Sequence, residues 1–204
     1  MIISHKYKFI FIKTRKTAGS SIERILLDHL GRDDVFAGMI CEGHSPINVL
    51  APKKITEHVG QIRIKSAYPH EWNNYFKFAV ERNPWDKAVS FYHWYQHSKP
   101  YKVKQGFSNF VLGKNFGNRN DWKLYANSNS ILVDSVINYE NLNNEFSNIC
   151  QRLGIPYRNE LKQTKLKGKF REDNKSYKEY YSLESKARVA EIFTNVIETF
   201  DYKF

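Results

Sequence analysis

An uninterrupted apolar run, Phe9-Ile-Phe-Ile12, breaks at Lys13 into a stretch crowded with cations and hydroxyls, Lys13-Thr-Arg-Lys-Thr-Ala-Gly-Ser-Ser21, before apolar residues resume at helical spacing. A strand without polar alternation is covered on both faces, the pattern of a central strand in a parallel sheet. The next element opens with Ser20-Ser-Ile-Glu23, which reads as a capping box, and carries Ile22, Ile25, Leu26 and Leu30 on one face until Gly31. Strand, anion-sized loop and helix therefore follow one another within the first 31 residues.

The rest of the chain repeats the theme. Residues 32–60 are irregular, with Ser45-Pro46 and the apolar Ile47, Leu50 and Ile55 predicting a short helix. Tyr75-Phe-Lys-Phe-Ala-Val80 predicts a second strand running into a helix with Asn83 as its cap and Pro84 as its first residue. Residues 99–129 are polar and aromatic and give no clear element. Residues 130–139 read as a third strand, and Leu142, Phe146, Ile149, Cys150 and Leu153 as a helical stripe closed by Gly154 and Pro156. A basic loop, Lys162 to Arg171, precedes a terminal helix capped by Ser182, with Leu183, Val189, Ile192, Phe193, Val196, Ile197 and Phe200 expected inward. Strands alternating with helices predict an α/β fold over residues 1–204, a single domain with a central parallel sheet flanked by helices and its ligands beyond the carboxyl ends of the strands.

Composition narrows the class. The formal charge of +11 attracts anions, which suits nucleic acid, an anionic membrane face or a nucleotide with several phosphates. No RNA- or DNA-binding motif accompanies the charge, so nucleic acid is not the expected partner. No segment approaches the roughly 20 apolar residues that span a bilayer, and the amino-terminal run is too short for a signal sequence. The expectation is a cytoplasmic protein. Cys41 and Cys150 read as packed thiols rather than a disulfide or a metal site.

The segment Lys13–Ser21 combines cations, a glycine, hydroxyls and a helix amino terminus, which together make an anion cradle. A triphosphate P-loop needs its glycines ahead of the lysine, whereas here Lys16 precedes Gly19 and no strand ends in an aspartate suited to magnesium. At the second turn Arg82 can fork onto a phosphate while Ser90 donates one hydroxyl bond, or Arg82 can pair with Asp86 and merely brace the turn. These features by themselves support phosphate or sulfate binding, which leaves open a P-loop-like kinase and a basic polyanion- or nucleic-acid-binding domain.

Together the two segments resemble a known pair. Lys16-Thr-Ala-Gly-Ser-Ser21 after an apolar strand is similar to the 5′-phosphosulfate loop of sulfotransferases that use 3′-phosphoadenosine 5′-phosphosulfate (PAPS), particularly the branch that includes carbohydrate sulfotransferases. Val80-Glu-Arg-Asn-Pro-Trp-Asp-Lys-Ala-Val-Ser90 resembles that family's 3′-phosphate segment. Val136–Leu142 and Tyr177–Tyr181 are weaker echoes of later landmarks. The resemblance implies a P-loop-like nucleotide-binding fold in which Lys13, Arg15, Lys16, Thr17, Ala18, Gly19, Ser20 and Ser21 hold the 5′-phosphosulfate. It further implies that Arg82 and Ser90 hold the 3′-phosphate, with Lys169 and Arg171 of the late basic loop touching phosphate if that loop is more than a solvated charge run. PAPS is the implied donor and a small molecule or carbohydrate the acceptor, with no metal needed. Arg15 and Glu81 depart from the pattern, and Glu81 is expected to point away from the anion or meet a lysine. Lys16 is the expected catalyst at the leaving oxygen. An acceptor hydroxyl also needs a base, for which His44 is the leading candidate and His58, His70, Glu57 and Glu81 its competitors.

Overall fold

The computed structural model describes residues 1–38, 55–103, 106–128, 130–162 and 175–204. The predicted strands form, but the sheet is mixed. Strand β1 (Ile2–Ser4) pairs antiparallel with β2 (Phe9–Ile12) and with β3 (Val35–Phe36), while β2, β4 (Phe76–Glu81) and β5 (Ser135–Asn138) run parallel, in the order β3-β1-β2-β4-β5. The parallel sheet read from sequence is thus the trio β2-β4-β5, extended by an antiparallel edge. That edge escaped the sequence reading because the turn between β1 and β2 bears no glycine or proline signal: Lys8 itself takes the left-handed conformation, with φ 55°.

Every residue of β2 is buried, as its unbroken apolar run requires. On one face Phe11 stacks on Phe78 of the neighbouring strand, with centroids 5.0 Å apart, and Ile2, Phe9, Val80 and Ile137 complete the layer. Helix α1 (Gly19–Leu27) contributes Ile22, Ile25 and Leu26 to that core. Two further helices, α2 (Gln61–Ala67) and α3 (Pro69–Asn74), precede β4. Each such side chain taken fully out of water contributes roughly 1.5–3 kcal/mol.

Of the predicted third strand only Ser135–Asn138 joins the sheet, and Ile131 instead bridges Ala126.

The chain gathers into two compact units, Met1–Glu81 with Lys123–Leu166, which holds the whole sheet, and Arg82–Trp122 with Lys167–Phe204. The second unit is helical. Helix α4 (Pro84–Ser98) is its spine, followed by α5 (Gly106–Leu112), while α6 (Trp122–Tyr125) straddles the boundary between the units. Lys87 of α4 and Asp121 form a fully buried ion pair at 3.1 Å.

Helix α7 (Leu142–Leu153) returns to the first unit. It adds Phe146, Ile149 and Cys150 to the core, and burial pushes the Cys150 thiol up to about 12. Gly154 ends α7 at φ 68°, with the amide of Ile155 donating to Cys150 and that of Gly154 to Gln151, so the predicted glycine stop forms as a Schellman motif.

The predicted terminal helix is two helices, α8 (Leu183–Ile192) and α9 (Thr194–Phe200), which part at Phe193. Ser182 caps α8 as expected, but Leu183 is 89% exposed rather than inward, whereas Val189, Phe193 and Val196 are buried. A residue at the first position of a helix lies ahead of the stripe its later turns bury, and the cap fixes Leu183 there.

Candidate functional site

The first strand-to-helix turn is built from the main chain. After β2, Lys16 and Ala18 adopt φ 63° and φ 60°, and Ala18 is the N-cap of α1 without a side-chain bond to its amides. Left-handed residues at alternate positions are a geometry in which successive amide N–H groups can turn toward one side as an anion-binding nest. Each such non-glycine residue costs roughly 1–2 kcal/mol, which the surrounding structure must offset. Two threonines do part of this. The Thr14 hydroxyl donates to the Val80 carbonyl on β4 at 2.5 Å, and the Thr17 hydroxyl lies 2.8 Å from that of Thr14, with both side chains buried.

Lys13 does the remainder. It is buried, its ammonium pairs with Glu23 at 2.5 Å and with Glu57, and its stem runs over Gly19 so closely that a Cβ there would lie 2.7 Å from the Lys13 Cγ. Gly19 is therefore required for this close approach, not for a turn. The predicted capping box does not form, because Glu23 reaches Lys13 and the amine of Met1, at 2.7 Å, instead of the helix start. A long-range ion pair has displaced the local cap that Ser20-Ser-Ile-Glu23 suggested. Burial lowers the pKa of that Met1 amine, and Glu23 opposes the shift.

The second turn is built from side chains. Asn83 caps α4, accepting from the amides of Trp85 at 3.1 Å and Asp86 at 3.4 Å, and Pro84 is the first helical residue, both as predicted. Arg82 donates through Nε and Nη2 to Asp86 Oδ2, at 2.9 and 2.6 Å. The bracing pair weighed from sequence is thus formed, and it orients the guanidinium. Ser90 lies one turn beyond Asp86 on the same face of α4 and is half-buried.

Glu81, the last residue of β4, is buried and accepts a hydrogen bond from the Tyr125 hydroxyl at 2.9 Å. A tyrosine hydroxyl thus meets its carboxylate, and nothing in the spacing of residues 81 and 125 signals that pairing.

The candidate bases separate. His58 Nδ1 lies 2.9 Å from the Lys13 carbonyl, and Glu57 pairs with the Lys13 ammonium, so both stand at the root of the first turn. His70 is exposed on α3, hydrogen-bonded with Asn74. His44, Lys169 and Arg171 lie outside the described residues, as does the helix predicted from Ser45-Pro46. Among the described residues no group of three or more His, Cys, Asp or Glu is placed to hold a metal, and no helix is long and apolar enough to cross a membrane.

The comparisons with known proteins fall on one class. The profile of the family Sulfotransfer_2, described as the sulfotransferase family, matches residues 1–203. Among solved structures the chain is similar to mouse sulfotransferase SULT7A1, crystallised in complex with PAP, with a TM-score of 0.60 and 14% identity over 98% of this chain and 87% of that one. At that identity the likeness is one of fold. No curated protein matches the chain by sequence.

Proposed function

The chain belongs to the sulfotransferase family, and from that premise we propose that it takes the sulfuryl group from PAPS, acting as one domain over residues 1–204, and passes it to a hydroxyl or amine of a small-molecule or carbohydrate acceptor. Membership selects sulfuryl transfer over the phosphoryl transfer and plain polyanion binding that the charge alone allowed. The observation that carries the donor assignment is the backbone of the first turn, where left-handed Lys16 and Ala18 lead into the uncapped start of α1. Such a nest binds a tetrahedral anion through amides and the helix dipole. The PAP held by SULT7A1 is the spent form of the same donor, which supports the reading.

When bound, PAPS supplies the sulfuryl group and a leaving phosphate. Lys16, Thr17, Gly19, Ser20 and Ser21, with Arg15, hold its 5′ end, while Arg82 and Ser90 read the 3′-phosphate. Lys13 is set apart from that group, since its ammonium is committed to Glu23 and Glu57. As the S–O bond breaks, negative charge grows on the bridging oxygen, and the Lys16 ammonium beside it stabilises the transition state more than the ground state.

A thermal-shift comparison tests the assignment. Adenosine 3′,5′-bisphosphate raises the melting temperature by mass action, and ATP, which lacks the 3′-phosphate, raises it less at equal concentration. Equal shifts for the two nucleotides refute a donor site that reads the 3′-phosphate.

A further inference from the structure

We propose that Thr14 is a positioning residue of the donor loop, drawing the hydroxyl proton of Thr17 inward, an assignment that rests on the PAPS reading above. Thr17 then meets the donor through its main-chain amide, and its side chain holds the loop in its left-handed bend. The Val80 carbonyl only accepts, so the Thr14 hydroxyl, 2.5 Å away, donates to it and has no second proton to give. The 2.8 Å bond between the Thr14 and Thr17 hydroxyls is therefore donated by Thr17. The Thr17 hydroxyl also lies 3.2 Å from the Thr14 carbonyl, an acceptor on the same residue. Either acceptor carries the Thr17 proton into the protein.

This relay sits where the loop leaves the sheet. The β2–β4 register ends at Ile12 opposite Ala79, and Thr14 reaches with its side chain for the next carbonyl of β4. Three residues on, Thr17 stands between left-handed Lys16 and Ala18, so its bond back to Thr14 closes the bend around Lys16. Thr14 and Thr17 are 1% and 0% exposed, which keeps water from competing for either hydroxyl. In such a dry site each hydrogen bond polarises the next, and the chain from Thr17 through Thr14 to Val80 is stronger than its members taken singly.

A hydroxyl whose proton is committed offers an anion only lone pairs, which repel it. Hydroxyl donation to the 5′ end of the donor thus falls to Ser20 and Ser21, and the Thr17 side chain works at one remove, through the loop it holds. The relay should therefore be felt by a nucleotide with a 5′-phosphate and not by one that lacks it.

Valine keeps the shape of threonine and removes its hydroxyl. In calorimetric titrations Thr14→Val and Thr17→Val each weaken binding of adenosine 3′,5′-bisphosphate by about tenfold. The double variant loses about as much as either single one, because one chain of bonds is broken only once. Thr14→Ser, which restores the hydroxyl, recovers the affinity, and adenosine 3′-phosphate binds every variant as it binds the wild type. Full affinity in Thr14→Val beside a loss in Thr17→Val makes Thr17 a direct ligand and overturns the proposal, as does a multiplicative loss of about a hundredfold in the double variant. An equal loss for adenosine 3′-phosphate reduces Thr14 to a general support of the fold and overturns it too. A further measurement needs no variant to fold: proton NMR of the wild-type chain shows the Thr17 hydroxyl proton shielded from exchange and in cross-relaxation with the Thr14 side chain, both before and after adenosine 3′,5′-bisphosphate is added. A Thr17 proton that exchanges freely, or leaves Thr14 when the nucleotide binds, overturns the proposal. A wild-type chain that fails to bind adenosine 3′,5′-bisphosphate at all refutes the donor reading beneath it, an outcome distinct from the others.

Discussion

The two strand-to-helix turns solve the same problem in opposite ways. At the first, the start of α1 has no side-chain cap, and the chain bends through left-handed Lys16 and Ala18. At the second, Asn83 satisfies the first amides of α4, and what projects is the pair Arg82 and Asp86 with Ser90 one turn on. A main-chain site recognises a tetrahedral anion by shape and tolerates changes in side chain. A side-chain site recognises it by a placed charge and does not. Under the proposed donor assignment, the first turn holds the group that reacts and is released, and the second the group that identifies the ligand.

This contrast can be broken by substitution. Lys16→Ala removes the one charge assigned to the leaving oxygen while leaving the nest, so we expect the rate of sulfuryl transfer to fall by about 10²–10³ with nearly unchanged melting temperature. A comparable loss of stability would show that Lys16 is structural. Arg82→Ala removes a charge-assisted contact, and affinity for adenosine 3′,5′-bisphosphate should fall by roughly tenfold or more, from a contact of about 1.5–3 kcal/mol, while affinity for adenosine 5′-phosphate is unaffected. Calorimetry with both nucleotides decides it, and equal losses would move Arg82 out of the 3′-phosphate role. Asn83→Ala should lower stability by about 1 kcal/mol in urea unfolding, because the α4 amides lose their cap. The smallest effect is expected at Ala18→Gly, which relieves a left-handed alanine and should stabilise the fold by up to about 1 kcal/mol. Destabilisation there would mean that the left-handed backbone at Ala18 is not the strained feature it is taken to be.

The same contrast explains what could be read from the sequence. The second turn was legible almost residue by residue, since Asn83, Pro84 and the Arg82–Asp86 spacing act within one turn of helix. The unbroken apolar run of β2 likewise announced a strand buried on both faces. The first turn misled wherever a distant partner intervened. Glu23 had the spacing of a capping box but pairs with Lys13 and the Met1 amine, partners that no local pattern announced. Non-glycine residues at positive φ carry no sequence mark, so the nest at Lys16 and Ala18 and the turn at Lys8 were invisible. Thr14 and Tyr125 were missed for a related reason, because their partners, Val80 and Glu81, lie 66 and 44 residues away along the chain.

The buried pair of Lys87 and Asp121 has a consequence for how such a chain can drift. Breaking a buried ion pair by removing one partner costs about 3–5 kcal/mol, whereas replacing both with apolar side chains of similar volume is often close to neutral. Either single substitution is therefore expected to cost more than the paired replacement, so the two positions are coupled in any route by which the sequence changes.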